Sequence, residues 1–194
     1  MKNCNAIIEH HGNIDEYKLL DNGVFPNSAL PVLHYKQVLK IPIVFPGMAV
    51  KKLLHDNGWT NNWKAGIYTY HHYHSNTHEA MAVIAGKTMV LLGGENGTII
   101  TLKKGDVLVI PAGVAHKNLG KENAVTCIGG YPEGISYNMN YGKAGERPAA
   151  DHEIARVGLP AKGPLCGNED PLPGTWRMAG ENALHGNIRH VAAV

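Results

Sequence analysis

The chain has 194 residues, of which 44% are hydrophobic and 18% charged. This composition makes one globular domain and argues against disorder or a coiled coil. The net charge of +2 gives no electrostatic basis for nucleic acid or membrane partners, and no apolar run reaches the length of a membrane span. The first residues, MKNCNAIIEHHGNIDEY, lack the apolar core of a signal peptide and carry early acids, so the expected location is the cytoplasm. Cys4, Cys127 and Cys166 are odd in number and widely spaced, which outlines neither a disulfide framework nor a CxxC metal site.

In chain order, residues 1–45 are mixed, with turn signals at Asp21-Asn22-Gly23 and Pro26-Asn27. A short helix is expected from Pro46, with Val50, Leu53 and Leu54 as its apolar face and Gly58 as its stop. The middle third reads as strands over 66–74, 79–85, 87–92, 98–102, 106–110, 114–119 and 124–130. Glu95-Asn96-Gly97 is expected to turn a hairpin through Asn-Gly, and Lys103-Lys104-Gly105-Asp106 to turn another. Many short strands at close spacing predict an antiparallel sandwich or barrel. The barrel is expected over about 30–140, with an N-terminal segment over 1–30. From Tyr141 onward prolines and glycines recur, and an extended arm over 141–194 is expected, packed on the barrel or on a neighbour through Ile154, Val157, Leu159 and Trp176. All 194 residues then form one domain.

Histidine is the unusual component. Of 12 in the chain, four fall in GIYTYHHYHSNTHEAMAVIAG over 66–86. Strand alternation puts Tyr68, Tyr70, His72 and His74 on one face and His71 on the other. After a reversal at Ser75-Asn76-Thr77, Glu79, Met81 and Val83 share a face, and His78 takes the opposite one. His72 and His74 can then meet Glu79, and this mixed imidazole and carboxylate set suits Fe, Mn, Ni, Co or Zn. His71 and His78 are expected in surface or interface roles. Tyr68 and Tyr70 are candidates for orienting a substrate. In GDVLVIPAGVAHKNLG over 105–120, Gly105 permits a tight turn, Pro111-Ala112-Gly113 bends the chain, and His116 and Asn118 point the same way.

These two segments resemble the paired motifs of the cupin superfamily. His72-x-His74, four residues, Glu79, six residues and Gly86 match the first; Gly105, five residues, Pro111-x-Gly113, two residues and His116 match the second. The resemblance implies an all-β fold, the double-stranded β-helix or jelly-roll barrel, with one metal ion bound by His72, His74, Glu79 and His116. Asn118 departs from the pattern, standing two residues after the histidine where the family usually has asparagine four after. Outside the motifs, LPVLHYKQVL, YGKAGERPAADHEIARVGLP and EDPLPGTW are similar to small bacterial cupins of the YjlB type.

Such a site is expected to hold one divalent ion (Fe, Mn, Ni or Zn, with Fe or Mn favoured). Segment 66–131 holds four acids, Glu79, Glu95, Asp106 and Glu122, and no arginine. With Glu79 assigned to the ion, Glu95 to a turn and Asp106 to a strand start, it is read as poor in carboxylates for proton transfer and as lacking a clamp for phosphate. A mononuclear, dioxygenase-like oxidoreductase acting on a small organic molecule fits best. A metal-dependent isomerase or lyase, and a non-enzymatic metal or small-molecule binder, are the alternatives. Sheet edges that need cover, and the arm available to cover them, predict a homodimer.

Overall fold

The computed structural model describes residues 5–9 and 13–191, with side chains as far as residue 183. The elements are β1 (Ile14–Leu19), β2 (Ser28–Tyr35), α1 (Pro46–Asp56), β3 (Trp59–Ala65), β4 (Glu79–Leu92), β5 (Thr98–Lys103), β6 (Val107–Ile110), β7 (His116–Asn118), β8 (Val125–Pro132), α2 (Ala149–Ile154) and α3 (Leu172–Val191). Every ladder is antiparallel. Six strands follow the order β1-β2-β6-β4-β8-β3, and β5 and β7 pair with β4.

The 14-residue β4 makes the fold a jelly-roll barrel. Its first half pairs with β6 and β8, its second half with β5 and β7. The change of sheet occurs at Gly86, whose φ of 82° favours glycine. A side chain there would also meet the Ala124 carbonyl oxygen at 2.0 Å. Alternation along the strands then builds two cores. Val32, Met81, Val83, Val90, Leu92, Ile100, Leu102 and Leu108 fill the interior. Leu33, Tyr35, Ala80, Ala82, Val107 and Val109 face outward, beneath Val50, Leu53 and Leu54 of α1 and beneath Leu165, Leu172 and Trp176.

Several expectations change. Residues 66–71 are not a strand; the strand lies just before, at β3, and within 66–74 only His72 and Tyr73 make bridges, each an isolated one. The barrel begins at Ile14, inside the expected N-terminal segment. In the β4–β5 turn, positive φ falls on Gly93 and Gly94 (87° and 101°), not on Asn96-Gly97. Residues 141–194 are not simply extended: they form α2 and the 20-residue α3. Trp176 is fully buried on its own barrel, its indole N–H donating to the Pro31 carbonyl at 2.9 Å, while Leu159 remains 44% exposed. Cys127 is a free buried thiol, whereas Cys166 is disulfide-bonded, a bridge that the number and spacing of the cysteines did not outline. Cys4 lies outside the described residues. Among the described residues no helix is long and apolar enough to cross a membrane.

Candidate metal centre

His72 and His116 face each other as an antiparallel bridge: the His116 N–H donates to the His72 carbonyl at 2.9 Å, and the reverse bond is 3.2 Å. Residues directly opposite in such a pair carry side chains on the same face. His74 lies two residues on, its carbonyl accepting the Gly113 N–H at 2.8 Å. The Pro111-x-Gly113 bend brings His116 back. Gly113 has φ of 91°, and a side chain there would meet the Asn27 carbonyl at 2.4 Å. Glu79 opens β4 and points into the barrel. All four residues are at most 5% exposed.

Each histidine is oriented by the backbone. The Nδ1 atoms of His72 and His116 lie 3.2 Å from the carbonyls of Tyr70 and Val114, and Nδ1 of His74 bonds the Asn138 carbonyl. A carbonyl only accepts, so each Nδ1 carries the proton and each Nε2 offers a lone pair. The three rings present ligand atoms within 4.8 Å of one another. Glu79 Oε2 stands 3.4 Å from Nε2 of His74 and 3.5 Å from Nε2 of His116. Glu79 Oε2 and His116 Nε2 are buried without a hydrogen-bond partner. Two donors on one ion, at bonds of about 2.0–2.2 Å and angles between octahedral and tetrahedral, lie roughly 2.8–3.6 Å apart. The two separations from Glu79 Oε2 fall within that range, and the orphaned Oε2 and His116 Nε2 suit a cation beside them.

Burial would raise the Glu79 carboxyl, but the His74 and His116 rings outweigh it and hold the group well below the usual carboxylate range. Burial would lower His74, yet the charge of Glu79 raises it. His72, with burial and His116 against its charged form, falls to about 3.

The other Glu79 oxygen is held by a chain that the sequence did not reveal. The Tyr131 hydroxyl donates to Oε1 at 3.0 Å, and the Trp63 indole N–H donates to the Tyr131 oxygen at 2.9 Å. Trp63 reaches this place because residue 129 is glycine: a Cβ there would lie 2.0 Å from the indole. The resulting cavity of about 130 Å³ is lined by the four candidate ligands together with Trp63, Ile67, Tyr68, Met81, Tyr131 and Tyr137, among others. Trp63, paired with Gly129, is the diagonal neighbour of Tyr131 across β3 and β8, so correct strand ends would have exposed both. Tyr137, in the loop after β8, left no periodic signal.

Tyr68 lines the cavity; Tyr70 stacks on Tyr68 at 4.9 Å but does not line it. His78 is on the outer face, as parity requires, but it is buried, not on the surface. Its Nδ1 accepts the Ala112 N–H at 3.0 Å, its Nε2–H donates to Gly158 at 3.2 Å, and Trp176 covers it. His71 is on the other side, 2.9 Å from Glu95. Asn118 is structural, its Oδ1 accepting from Thr88 at 2.6 Å. Arg147 ties α2 to the N-terminal loop by pairing with Asp21 and Asp151.

A family model described as "Cupin domain" matches residues 63–128. The uncharacterized protein YjlB of Bacillus subtilis (strain 168) is 39% identical over 161 residues, which is 82% of this chain and 94% of the relative. Among solved structures, a DUF861 family protein from Thermotoga maritima shares 22% identity over 47% of this chain and 92% of its own, with a TM-score of 0.29. Acireductone dioxygenase from Bacillus anthracis, with cadmium in its active centre, shares 13% identity over 69% of this chain and 84% of its own, with a TM-score of 0.38. With both histidine motifs inside the matched segment and the relative aligned almost end to end, the chain belongs to the cupin superfamily.

Proposed function

We propose that the chain is a metal-dependent oxidoreductase of the dioxygenase kind, acting on a small organic molecule, with one divalent ion, Fe or Mn, held by His72, His74, Glu79 and His116. The observation that carries this reading is the tautomer pattern: three Nδ1–H groups facing carbonyls leave three Nε2 lone pairs converging beside the unpartnered Oε2 of Glu79. When bound, such an ion supplies Lewis acidity and, as Fe or Mn, the redox chemistry that dioxygen requires.

The chain's own residues do the rest. Tyr131 keeps Oε1 of Glu79 engaged, so that Oε2 faces the histidines. Trp63, Ile67 and Met81 give the cavity apolar walls. An isomerase needs a positioned proton-transfer group besides the ligands. Glu79 is the only carboxylate lining the cavity among the described residues, and no lysine or arginine lines it.

Elemental analysis of purified protein tests the centre, followed by an oxygen-electrode screen of small organic molecules with Fe(II) or Mn(II) restored. The expected result is about one ion per chain and substrate-dependent oxygen uptake, both lost in His116→Ala. Bound zinc with no oxygen uptake across the screen, or no bound metal, overturns the reading.

A further inference from the structure

Just before α1 the chain turns apolar side chains outward. Ile43 is 97% exposed, and Val44, Phe45 and Met48 are each 68–69% exposed, so four large apolar side chains stand in water within residues 43–48. Single exposed apolar residues are ordinary, whereas a contiguous group marks a surface that meets something else.

Phe45 shows that this arrangement is held against local preference. Its φ of 50° and ψ of 48° are left-handed, a conformation that glycine and asparagine tolerate and a bulky residue resists. It is also the N-cap of α1, where serine, threonine, asparagine or aspartate would close a free N–H group; no side chain does so here. The Phe45 carbonyl nonetheless accepts the Met48 and Ala49 N–H groups, at 3.0 and 3.3 Å, which fixes the bend at the start of the helix. The position gives up both a relaxed backbone and a cap, and the ring gains little burial in return. Local strain of this kind persists at functional sites.

The charge around the tip is of one sign. Lys51 and Lys64 line a groove beside it with Phe45, Met48, Trp63 and Ile128, and Lys40 precedes it. All three lysines are exposed, and none makes an ion pair among the described residues. Over residues 40–66 the single acid is Asp56, and Lys52 already pairs with it at 2.7 Å. The near-neutral net charge of the whole chain hides this local excess.

We propose that the 43–48 tip is a docking surface for an anionic lipid membrane. Ile43, Val44, Phe45 and Met48 enter the boundary between headgroups and acyl chains, and Lys51 and Lys64 meet the headgroup phosphates. An apolar tip beside lysines is the chemistry of an interfacial anchor. Lysine stems lie along apolar surface while their ammonium groups stay in water. The charge disfavours a second copy of the chain, which would bring the lysines of two copies together. The shape disfavours a peptide, because Ile43 and Val44 do not line the groove and would stay in solvent with the groove filled. The surface is separate from the metal centre, and neither reading depends on the other.

The test is co-sedimentation of the full chain with vesicles of phosphatidylcholine alone and of phosphatidylcholine with phosphatidylglycerol, alongside light scattering of the chain in solution. The expected result is binding to the anionic vesicles roughly tenfold tighter than to the neutral ones, or more, weakening as salt is raised. Ile43→Ser and Phe45→Asn are each expected to weaken it by about fivefold or more, and Lys51→Ala and Lys64→Ala by about fivefold each. Phe45→Asn is also expected to melt at or above the parent's temperature, because asparagine fits the left-handed backbone. Equal binding to both kinds of vesicle, binding to neither, apolar-tip variants that bind as the parent does, or a Phe45→Asn variant that melts well below the parent overturns the proposal. A dimer in solution that Ile43→Ser and Phe45→Asn both convert to monomer makes the tip an interface between copies, and overturns it too.

Discussion

At the scale of single residues, the centre depends as much on what holds Glu79 as on the four side chains that face one another. Glu79 is 3% exposed, and its two oxygens have different surroundings: Oε1 accepts from Tyr131, while Oε2 faces the histidines. Burial, and then the neighbouring carboxylate, push the Tyr131 phenol far above its ordinary value, so it stays protonated and donates. Tyr131→Phe keeps the ring and removes this donor. It is expected to weaken metal binding by about ten- to a hundredfold, the usual effect of losing a partner behind a ligand, measured by titration with a competing chelator. His78→Ala provides the contrast. It removes bonds to Ala112 and Gly158 on the far side of the sheet, so it is expected to lower the melting temperature while the folded protein keeps its full metal content. Metal loss in His78→Ala equal to that in Tyr131→Phe would place His78 in the centre.

At the scale of elements, legibility followed local regularity. The helix from Pro46 was readable because a proline start, an apolar face and a glycine stop are all local signals, and α1 ends at Asp56, two residues before Gly58. The second motif was readable for the same reason: Gly105 turns with φ of 96°, and β6 follows. Strand β3 was hidden because Asn61 adopts φ of 51° and the register with β8 shifts between Thr60 and Trp63, which breaks the two-residue period. The histidine face was legible by parity, although the hairpin invoked for it is absent: His72 pairs with His116. The turn at Gly105 also hid a buried group. Asp106, expected only as a strand start, is 1% exposed and binds His34 Nε2 at 3.1 Å, the Gln37 N–H at 2.9 Å and the Lys103 N–H at 3.0 Å. Burial would raise its carboxyl, but the His34 and Gln37 hydrogen bonds outweigh this and lower it. A carboxyl lowered on folding stabilises the fold above its unfolded value of about 3.9. That contribution is lost as pH falls through the lower folded value. Asp106→Asn is therefore expected to lose about 1–3 kcal/mol near neutral pH and to show a flatter melting temperature between pH 5 and 2 than the parent, checked by thermal unfolding across that range. An equally steep acid limb in both proteins would refute it.

At the scale of the whole molecule, the C-terminal third is part of the barrel's outer core. Leu165, Leu172 and Trp176 are each at most 1% exposed, within the same cluster as Val50, Leu53 and Leu54 of α1 and the outward face of the main sheet. Ser75, next to His74, donates to Glu153 of α2 and accepts from Asn138 and Asn140, so this third also braces the loop that carries two of the candidate ligands. With Trp176 seated on its own chain, exchange of the segment between two copies is not needed to bury it. Trp176→Ala tests how far the outer core and the centre are coupled. It empties a fully buried indole site and leaves the Pro31 carbonyl without its donor, for an expected loss of about 3–5 kcal/mol. In a domain of this size that is a fall of about 6–20 °C in melting temperature. Trp176 contacts His78, not the ring nitrogens that face Glu79. The variant that remains folded at low temperature is therefore expected to hold the parent's metal content and affinity. Loss of metal in proportion to the loss of stability would instead mean that the C-terminal cover sets the geometry of the centre from outside the barrel.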